Sequence, residues 1–541
     1  MEVIQITTHQ NKKILVFLRS KIADTLDVSA FDNPVKSNTK ERLMKRKIFP
    51  ILMIVLTTFL TYLPYFKNTF GIDTSTMMLD SHEMLEGYLS QGRFGIVWIF
   101  NLFIHHYDNA LVPFLVVPLL ALAAVYLFYL IRHFDEKSRP FSAMIFAIFF
   151  VNNPVVYAQL YFKLQALEII LGLLFVLSAS HICLTEKIRR PVKIMLSTAF
   201  LSLSILIYQS FAFFIFSLFL FWLLILPRKR KIIFQNFLPS LMIAGLIYLL
   251  TYLLYAMKIS YSSYGSQTYL MWNKFASLGH LHQALMPVML FGVLIYLGLI
   301  FITIRRAKHN QRLEMLLIIL LFLSLFSFNV AFGTSTKTPR IYFGTFSAVV
   351  IGLLYYWNKP KFFGILAIAS IIFTFSLSFH ANQAYQNDLK LTNEVADQIS
   401  QHQAKTVVFI GNLQEENLVN EVKTYSRGVS TPPEFSRTKF KVSAASSPAQ
   451  EVGMLARTYF DKFQDIFITG ATRSSFFQFD DPLTSDRPYN FMTLQGHAYP
   501  VPEQASRTSL VSKYAALPDY PNPESVKFDS NSQILVFKLS N

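Results

Sequence analysis

Long apolar runs alternate along the chain with short clusters of lysine and arginine. Ile48–Phe66 is the first run long enough to cross a membrane, since about 20 residues are needed for a core of ~30 Å. Lys45, Arg46 and Lys47 stand before it, which places its N-terminal end on the cytoplasmic side. Phe94–Ile104 is apolar but covers only about 11 residues, too few to cross, so an interfacial or re-entrant segment is expected. Leu111–Ile131 returns inward and ends at Arg132, His133, Lys137 and Arg139. Basic loops then recur at Lys187–Arg190, Arg228–Lys231, Arg305–Arg312, and Lys359 with Lys361. Each interval between them holds one out-and-back hairpin.

Ile194–Pro227 is the clearest hairpin. As one helix its roughly 34 residues would extend ~50 Å, well beyond the hydrocarbon core. Tyr208-Gln209-Ser210, the polar point at its middle, is the expected fold-back. The expected outer tips are therefore Asn152–Lys163, Tyr208–Ser210, Ser260–His282 and Phe332–Arg340, and Phe362–Phe379 crosses outward once more. The reading is a polytopic α-helical membrane protein over residues 48–380, with about eleven transmembrane helices, N-terminus inside and C-terminus outside. Residues 1–47 are read as a polar cytoplasmic tail, with no apolar core and cleavage site of a signal peptide.

Beyond His380 the pattern changes. Thr406–Ile410, Asp465–Thr469 and Gln533–Leu539 read as strands, and Ala384–His402, Pro448–Phe463 and Ala505–Ala516 as helices. Residues 381–541 are thus expected to form a small extracytoplasmic α/β domain. It contains no G-x-G-x-x-G and no P-loop.

Composition sharpens the class. Hydrophobic residues make up 53% of the 541 and charged ones 15%, against roughly a quarter charged in soluble proteins. The net charge of +17 does not indicate nucleic acid, because the basic residues lie between apolar runs as the positive-inside rule requires. The single cysteine, Cys183, excludes an internal disulfide and a cysteine zinc site.

Candidate chemistry concentrates in Gly71–Gly95, on the outer side, which packs Asp73, Asp80, Glu83, Glu86 and Arg93 into one short polar stretch. A helix over Asp73–Gln91 would put Asp73 and Asp80 on one face, with Glu83 a turn further. Other outer polar groups are Gln159, Lys163, Gln209, Lys337 and Arg340, while the spans are nearly free of ionisable side chains. A transporter keeps such groups mid-membrane, so this distribution favours chemistry on a lipid headgroup. Each residue also has a plainer reading: solvated loop carboxylates for Asp73 and Asp80, snorkelling cations for Arg93 and Arg340, and backbone satisfaction for Gln209. His105-His106-Tyr107-Asp108 looks like a metal cluster, but adjacent histidines on a helix diverge, and an interfacial polar edge is expected there.

Several stretches together resemble a known family. They are Ile72-Asp73-Thr74, Gln91-Gly92-Arg93-Phe94-Gly95, Asn153-Pro154 with Gln159, Tyr208-Gln209-Ser210, Pro339-Arg340, and Leu517-Pro518-Asp519-Tyr520-Pro521 before the last strand. In this order they are similar to bacterial serotype-converting membrane glucosyltransferases of the Gtr type II kind, within the GT-C class, over about Lys45–Asn541. The resemblance implies a polyprenyl-phosphate sugar donor, commonly glucose, supplied by a synthase and flipped outward by a partner. It implies a cell-surface polysaccharide as acceptor and a carboxylate of the first outer loop in the reaction. Asp73 is then the first choice of base, Asp80 the second and Glu83 the third. Arg93 and Arg340 would meet the departing phosphate, and Gln159 and Gln209 the sugar hydroxyls. No metal ligands are assigned; a divalent ion is left open. The rival readings are a transporter or flippase for lipid-linked sugars, and a glycan-binding assembly or sensor protein without catalysis.

Overall fold

The computed structural model describes residues 40–67, 69, 71–135, 138–256, 312–324, 327, 344–348, 360–411, 476–477 and 486–539. The expected tail up to Thr39, the tips Ser260–His282 and Phe332–Arg340, the loop from Arg305, Lys359, Pro448–Phe463 and Asp465–Thr469 lie outside the described residues.

The first half is helical: α1 (Lys40–Thr61), a 3₁₀ turn (Leu63–Phe66), α2 (Ile72–Leu79), α3 (Ser81–Ser90), α4 (Phe94–Ile99) and α5 (Val112–Phe134). There follow α6 (Pro140–Val151), α7 (Pro154–Leu160), a 3₁₀ turn (Lys163–Gln165), α8 (Ala166–Leu184), α9 (Arg190–Ile207), α10 (Ser210–Ile225) and α11 (Arg230–Ala256). Among the described residues, five helices are long and apolar enough to cross a membrane, or six if the pair Pro140–Val151 and Pro154–Leu160, bent by 41°, counts as one. Shorter apolar helices cover Ile48–Thr61, Phe94–Ile104, Ser210–Ile225 and Leu313–Leu323.

The helix breaks follow local chemistry. Ile194–Pro227 is interrupted at its polar middle: α9 ends at Ile207, Tyr208 is extended, and α10 begins at Ser210. At the α6–α7 bend, Asn153 caps α7 by accepting from the N–H groups of Val155 and Val156, both at 3.1 Å. Its amide nitrogen donates to the carbonyls of Phe149 and Phe150 and to Ser347 Oγ, so both ends of this one side-chain amide tie the bend together. Between helices, small hydroxyls do the joining: Ser197 to Ser240 and Ser217 to Ser324, each at 2.7 Å, and Ser204 to the Gly172 carbonyl at 3.0 Å. Apolar contact between helices gains little over apolar contact with lipid, so close backbone approach and such bonds hold the bundle.

After α12 (Arg312–Leu323) comes α13 (Pro360–His402), one helix of 43 residues, ~65 Å long at 1.5 Å per residue. The separate helices expected over Phe362–Phe379 and Ala384–His402 are thus continuous, because nothing between them breaks a helix. Three strands follow, β1 (Thr406–Ile410), β2 (Val526–Asp529) and β3 (Ile534–Lys538), in the order β1-β3-β2, with β1 parallel and β2 antiparallel to β3. Helices α14 (Arg487–Leu494) and α15 (Gln504–Tyr514) complete the unit. One sheet face, Val407, Phe409, Leu535 and Phe537, packs with Leu391, Val395 and Ile399 of α13 and Phe491 of α14. The other, Val408, Ile410, Ile534 and Val536, packs with Leu510 of α15. Both faces are covered, which is why β1 and β3 read as unbroken apolar runs. Neither β2 nor α14 is expected from sequence: β2 is a four-residue edge strand with alternating charge, and α14 is too short to show a helical period.

Candidate active site

The 3₁₀ turn after α1 is pinned by two tyrosines. Tyr62 donates to the Val151 carbonyl and Tyr65 to the Leu160 carbonyl, both at 2.7 Å. Gly71 then passes close to Tyr161, where a Cβ would sit 3.0 Å from the ring. Helix α2 follows and packs between the Lys163–Gln165 turn and α14 of the C-terminal unit. Asp73 lies in its first turn.

Asp80 ends α2 and starts α3, with φ −141° and ψ 89°. Its exposed carboxylate accepts from the N–H groups of His82 and Glu83 at 3.0 and 3.1 Å. The single helix expected over Asp73–Gln91 is therefore two, and Asp73 and Asp80 do not share one helix face. The physical reason is that aspartate caps a helix better than it continues one. Glu83 is exposed in the first turn of α3, and Glu86 lies 3.7 Å from His82.

Arg93 follows Gly92, whose φ of +72° suits glycine. Its Nη1 donates to Gln165 Oε1 at 3.1 Å. The guanidinium lies over the rings of Tyr208 at 4.7 Å and Tyr88 at 5.6 Å. Its Nε is buried and has no hydrogen-bond partner among the described residues. Gln209 donates its amide to the Gln91 carbonyl, and a Cβ on Gly95 would fall 2.7 Å from the backbone nitrogen of Ile207. The Gln91–Gly95 stretch and the Tyr208-Gln209 break, singled out separately in the sequence, thus interlock. For Gln209 the described contact is the plainer of its two readings, a backbone group satisfied. Gln159 is wholly buried in α7, and neither of its amide atoms has a partner among the described residues. Arg340 lies outside the described residues.

Other residues join Arg93. Lys163 is buried, donates to the Lys67 carbonyl at 2.8 Å and lies 4.9 Å over the Tyr65 ring. Glu168, in the first turn of α8, is 2% exposed. Tyr107 donates to Asn109 Oδ1 at 3.0 Å, and Asn109 in turn to the Thr69 carbonyl at 3.1 Å. Burial, and then the neighbouring Tyr65, Glu168 and Tyr88, push the Tyr107 hydroxyl well above its ordinary range, so it stays a neutral donor. Four tyrosines (65, 88, 107, 208), two cations, an amide and a carboxylate thus gather at one end of the bundle. Lys163 and Glu168 had a sequence signal, being ionisable residues at the edge of an apolar run. Tyr208 had one as part of the polar break in its apolar run; Tyr65 and Tyr88 had none among the 26 tyrosines of the chain.

Among the described residues, no three or more His, Cys, Asp or Glu side chains are grouped to hold a metal. His105 and His106 are exposed, and Asp108 is engaged with the N–H groups of Ala110 and Leu111. The basic loops lie away from the tyrosine cluster: α8 starts beside Gln165 and ends 19 residues later, just before Glu186 and Lys187. There Lys229 pairs with Glu186 at 3.0 Å, joining the two loops.

An apolar helical bundle with several helices of membrane-spanning length defines an integral membrane protein. The family model "Glucosyl transferase GtrII" matches residues 62–385, more than half of the 541, and the chain belongs to that family. It is accordingly a membrane glycosyltransferase. The match takes in Asp73, Asp80, Glu83, Arg93, Gln159, Gln209 and Arg340. It ends inside α13, so it is narrower than the Lys45–Asn541 expected and leaves out Leu517–Pro521. Among curated proteins, none matches the chain.

Proposed function

We propose that this protein moves a hexose, glucose, from a polyprenyl-phosphate donor to a cell-surface polysaccharide, with inversion, on the outer face of a bacterial cell membrane. The observation that carries the reading is the junction at Arg93, where guanidinium, Gln165, Tyr88 and Tyr208 meet at the end of the bundle away from the basic loops. By the positive-inside rule those loops face the cytoplasm. The Arg93 end, and with it the unit after α13, then faces outward. The topology that goes with this reading has about eleven spans and a cytoplasmic N-terminus. A synthase makes the donor and a flippase delivers it.

The chemistry needs few groups. The acceptor hydroxyl gives its proton to a carboxylate as its oxygen attacks the anomeric carbon. The bond from that carbon to the phosphate oxygen breaks, and its electron pair leaves on the phosphate. A positioned base contributes about 10²–10⁴-fold. Asp73 is the proposed base, since Asp80 is engaged as a cap and Glu83 is exposed. Arg93, with Arg340, stabilises the charge that grows on the phosphate. Gln159, a buried amide without a partner among the described residues, contacts a sugar hydroxyl.

Purified protein in liposomes, given labelled polyprenyl-phosphate-glucose and acceptor glycan, tests the reading. Sugar transfer lost in Asp73→Asn supports it. Movement of the lipid-linked sugar across the bilayer without transfer supports a flippase instead. An unchanged surface polysaccharide in cells carrying Asp73→Asn would point to a binding or assembly role.

A further inference from the structure

Glu168 has no task in the mechanism above. It is 2% exposed, in the first turn of α8, one turn beyond Gln165. Among the described residues no cation forms an ion pair with it. A buried carboxyl group with so little compensation either holds its proton or is met by a ligand that supplies hydrogen-bond partners. Its surroundings suit a sugar. Gln165, three residues earlier, receives the Arg93 guanidinium, and Glu168 neighbours Tyr107, whose other neighbours are Tyr65 and Tyr88. Gln165 is the N-cap of α8 and Glu168 lies in its first turn, about 4.5 Å further along the axis. That step fits the reach from a phosphate at Arg93 to the far hydroxyls of the hexose it carries.

We infer that Glu168 is a sugar-recognition residue: its carboxylate accepts hydrogen bonds from hydroxyls of the donor hexose while Arg93 holds the phosphate. The inference rests on the reading of the donor as a polyprenyl-phosphate hexose and adds which side chain tells the sugar from the bare lipid. Glu168 is not the proton acceptor of the reaction; its part is to fix identity and orientation. A site built to bond a hydroxyl discriminates strongly against the analogue without it, because the buried partner is then left unpaired.

The test measures binding to the full-length protein in detergent, which needs no acceptor. Five probes are compared: polyprenyl phosphate, polyprenyl-phosphate-glucose, and its 3-, 4- and 6-deoxy forms. Wild type is expected to bind the glucose lipid more tightly than the bare phosphate and to lose about 10- to 100-fold with one deoxy form. Glu168→Gln is expected to lose a similar factor for the glucose lipid, to keep its affinity for bare polyprenyl phosphate, and to stop distinguishing that deoxy form. If Glu168→Gln does not fold, as thermal unfolding reports, Glu168→Asp takes its place. Equal loss for both lipids, or an unchanged glucose-to-deoxy ratio, overturns the inference and leaves the donor reading standing. Wild type that binds neither lipid overturns the donor reading, and this inference with it.

Discussion

Replacing Gly95 by alanine tests the interlock on which the site rests. A Cβ there would lie 2.7 Å from the Ile207 nitrogen and 2.9 Å from the Leu206 carbonyl carbon. Both are backbone atoms at the end of α9, so no side chain can rotate out of the way. Reaching the 3.4 Å at which ordinary contact begins takes a shift of about 0.7 Å between α4 and α9. Overpacking of this kind costs about 1–3 kcal/mol. The displaced segment leads directly into Tyr208 and Gln209, which hold Arg93 and the Gln91 carbonyl. A misplacement near 1 Å at a reacting centre can cost 10²-fold in rate, so transfer should fall more than stability alone explains. Gly87 and Gly245 are the controls: both are helical, and a Cβ at either meets nothing within 4 Å. Gly87→Ala and Gly245→Ala should each hold or raise the unfolding temperature, since alanine favours a helix by up to about 1 kcal/mol over glycine. The assay is thermal unfolding of purified protein in detergent beside sugar transfer in liposomes. A Gly95→Ala protein as stable and active as wild type, or controls that lose as much, would show that α4 and α9 do not meet as described.

Asp80→Ala should destabilise the protein by about 0.5–2 kcal/mol through the lost cap, while Asp80→Asn, which also caps, should leave unfolding and transfer close to wild type; full loss of transfer in Asp80→Asn would return Asp80 to the chemistry. Arg93→Lys replaces the planar guanidinium that bonds Gln165 and lies over Tyr208 with a point charge that cannot give a phosphate the same two-pronged contact. Its kcat/KM for transfer should drop about 10²–10³-fold, and steady-state kinetics within a few-fold of wild type would remove Arg93 from the site. In the C-terminal unit, hydrogen bonds from Lys513, Ser532 and Tyr514 hold the Asp529 carboxyl well below the usual carboxylate range. A depressed folded pKa stabilises above the unfolded value, about 3.9, and the contribution is lost as pH falls through the folded one. Unfolding followed below about pH 4 should therefore show a fall that Asp529→Asn lacks; identical profiles would refute the pairing.

Much of this protein was legible one residue after another. The apolar runs, the basic loops between them, the interruption at Tyr208-Gln209-Ser210, and the strands at Thr406–Ile410 and Ile534–Lys538 follow from local rules. Length against a bilayer, helix-breaking residues and unbroken apolar stretches need no knowledge of distant neighbours. The continuity of α13 was lost in that reading because polarity changes at His380 while helix-forming tendency does not. Which distant residues meet follows from packing alone. Arg93 and Gln165 are 72 positions apart, and Gln91 and Gln209 are 118 apart. No local period announces either meeting. The same holds for Glu168, whose place at the edge of an apolar run is visible in the sequence but whose burial comes from the bundle closing over it. Helix and strand are set by neighbours along the chain; a site is set by packing, which brings together residues that the sequence holds far apart.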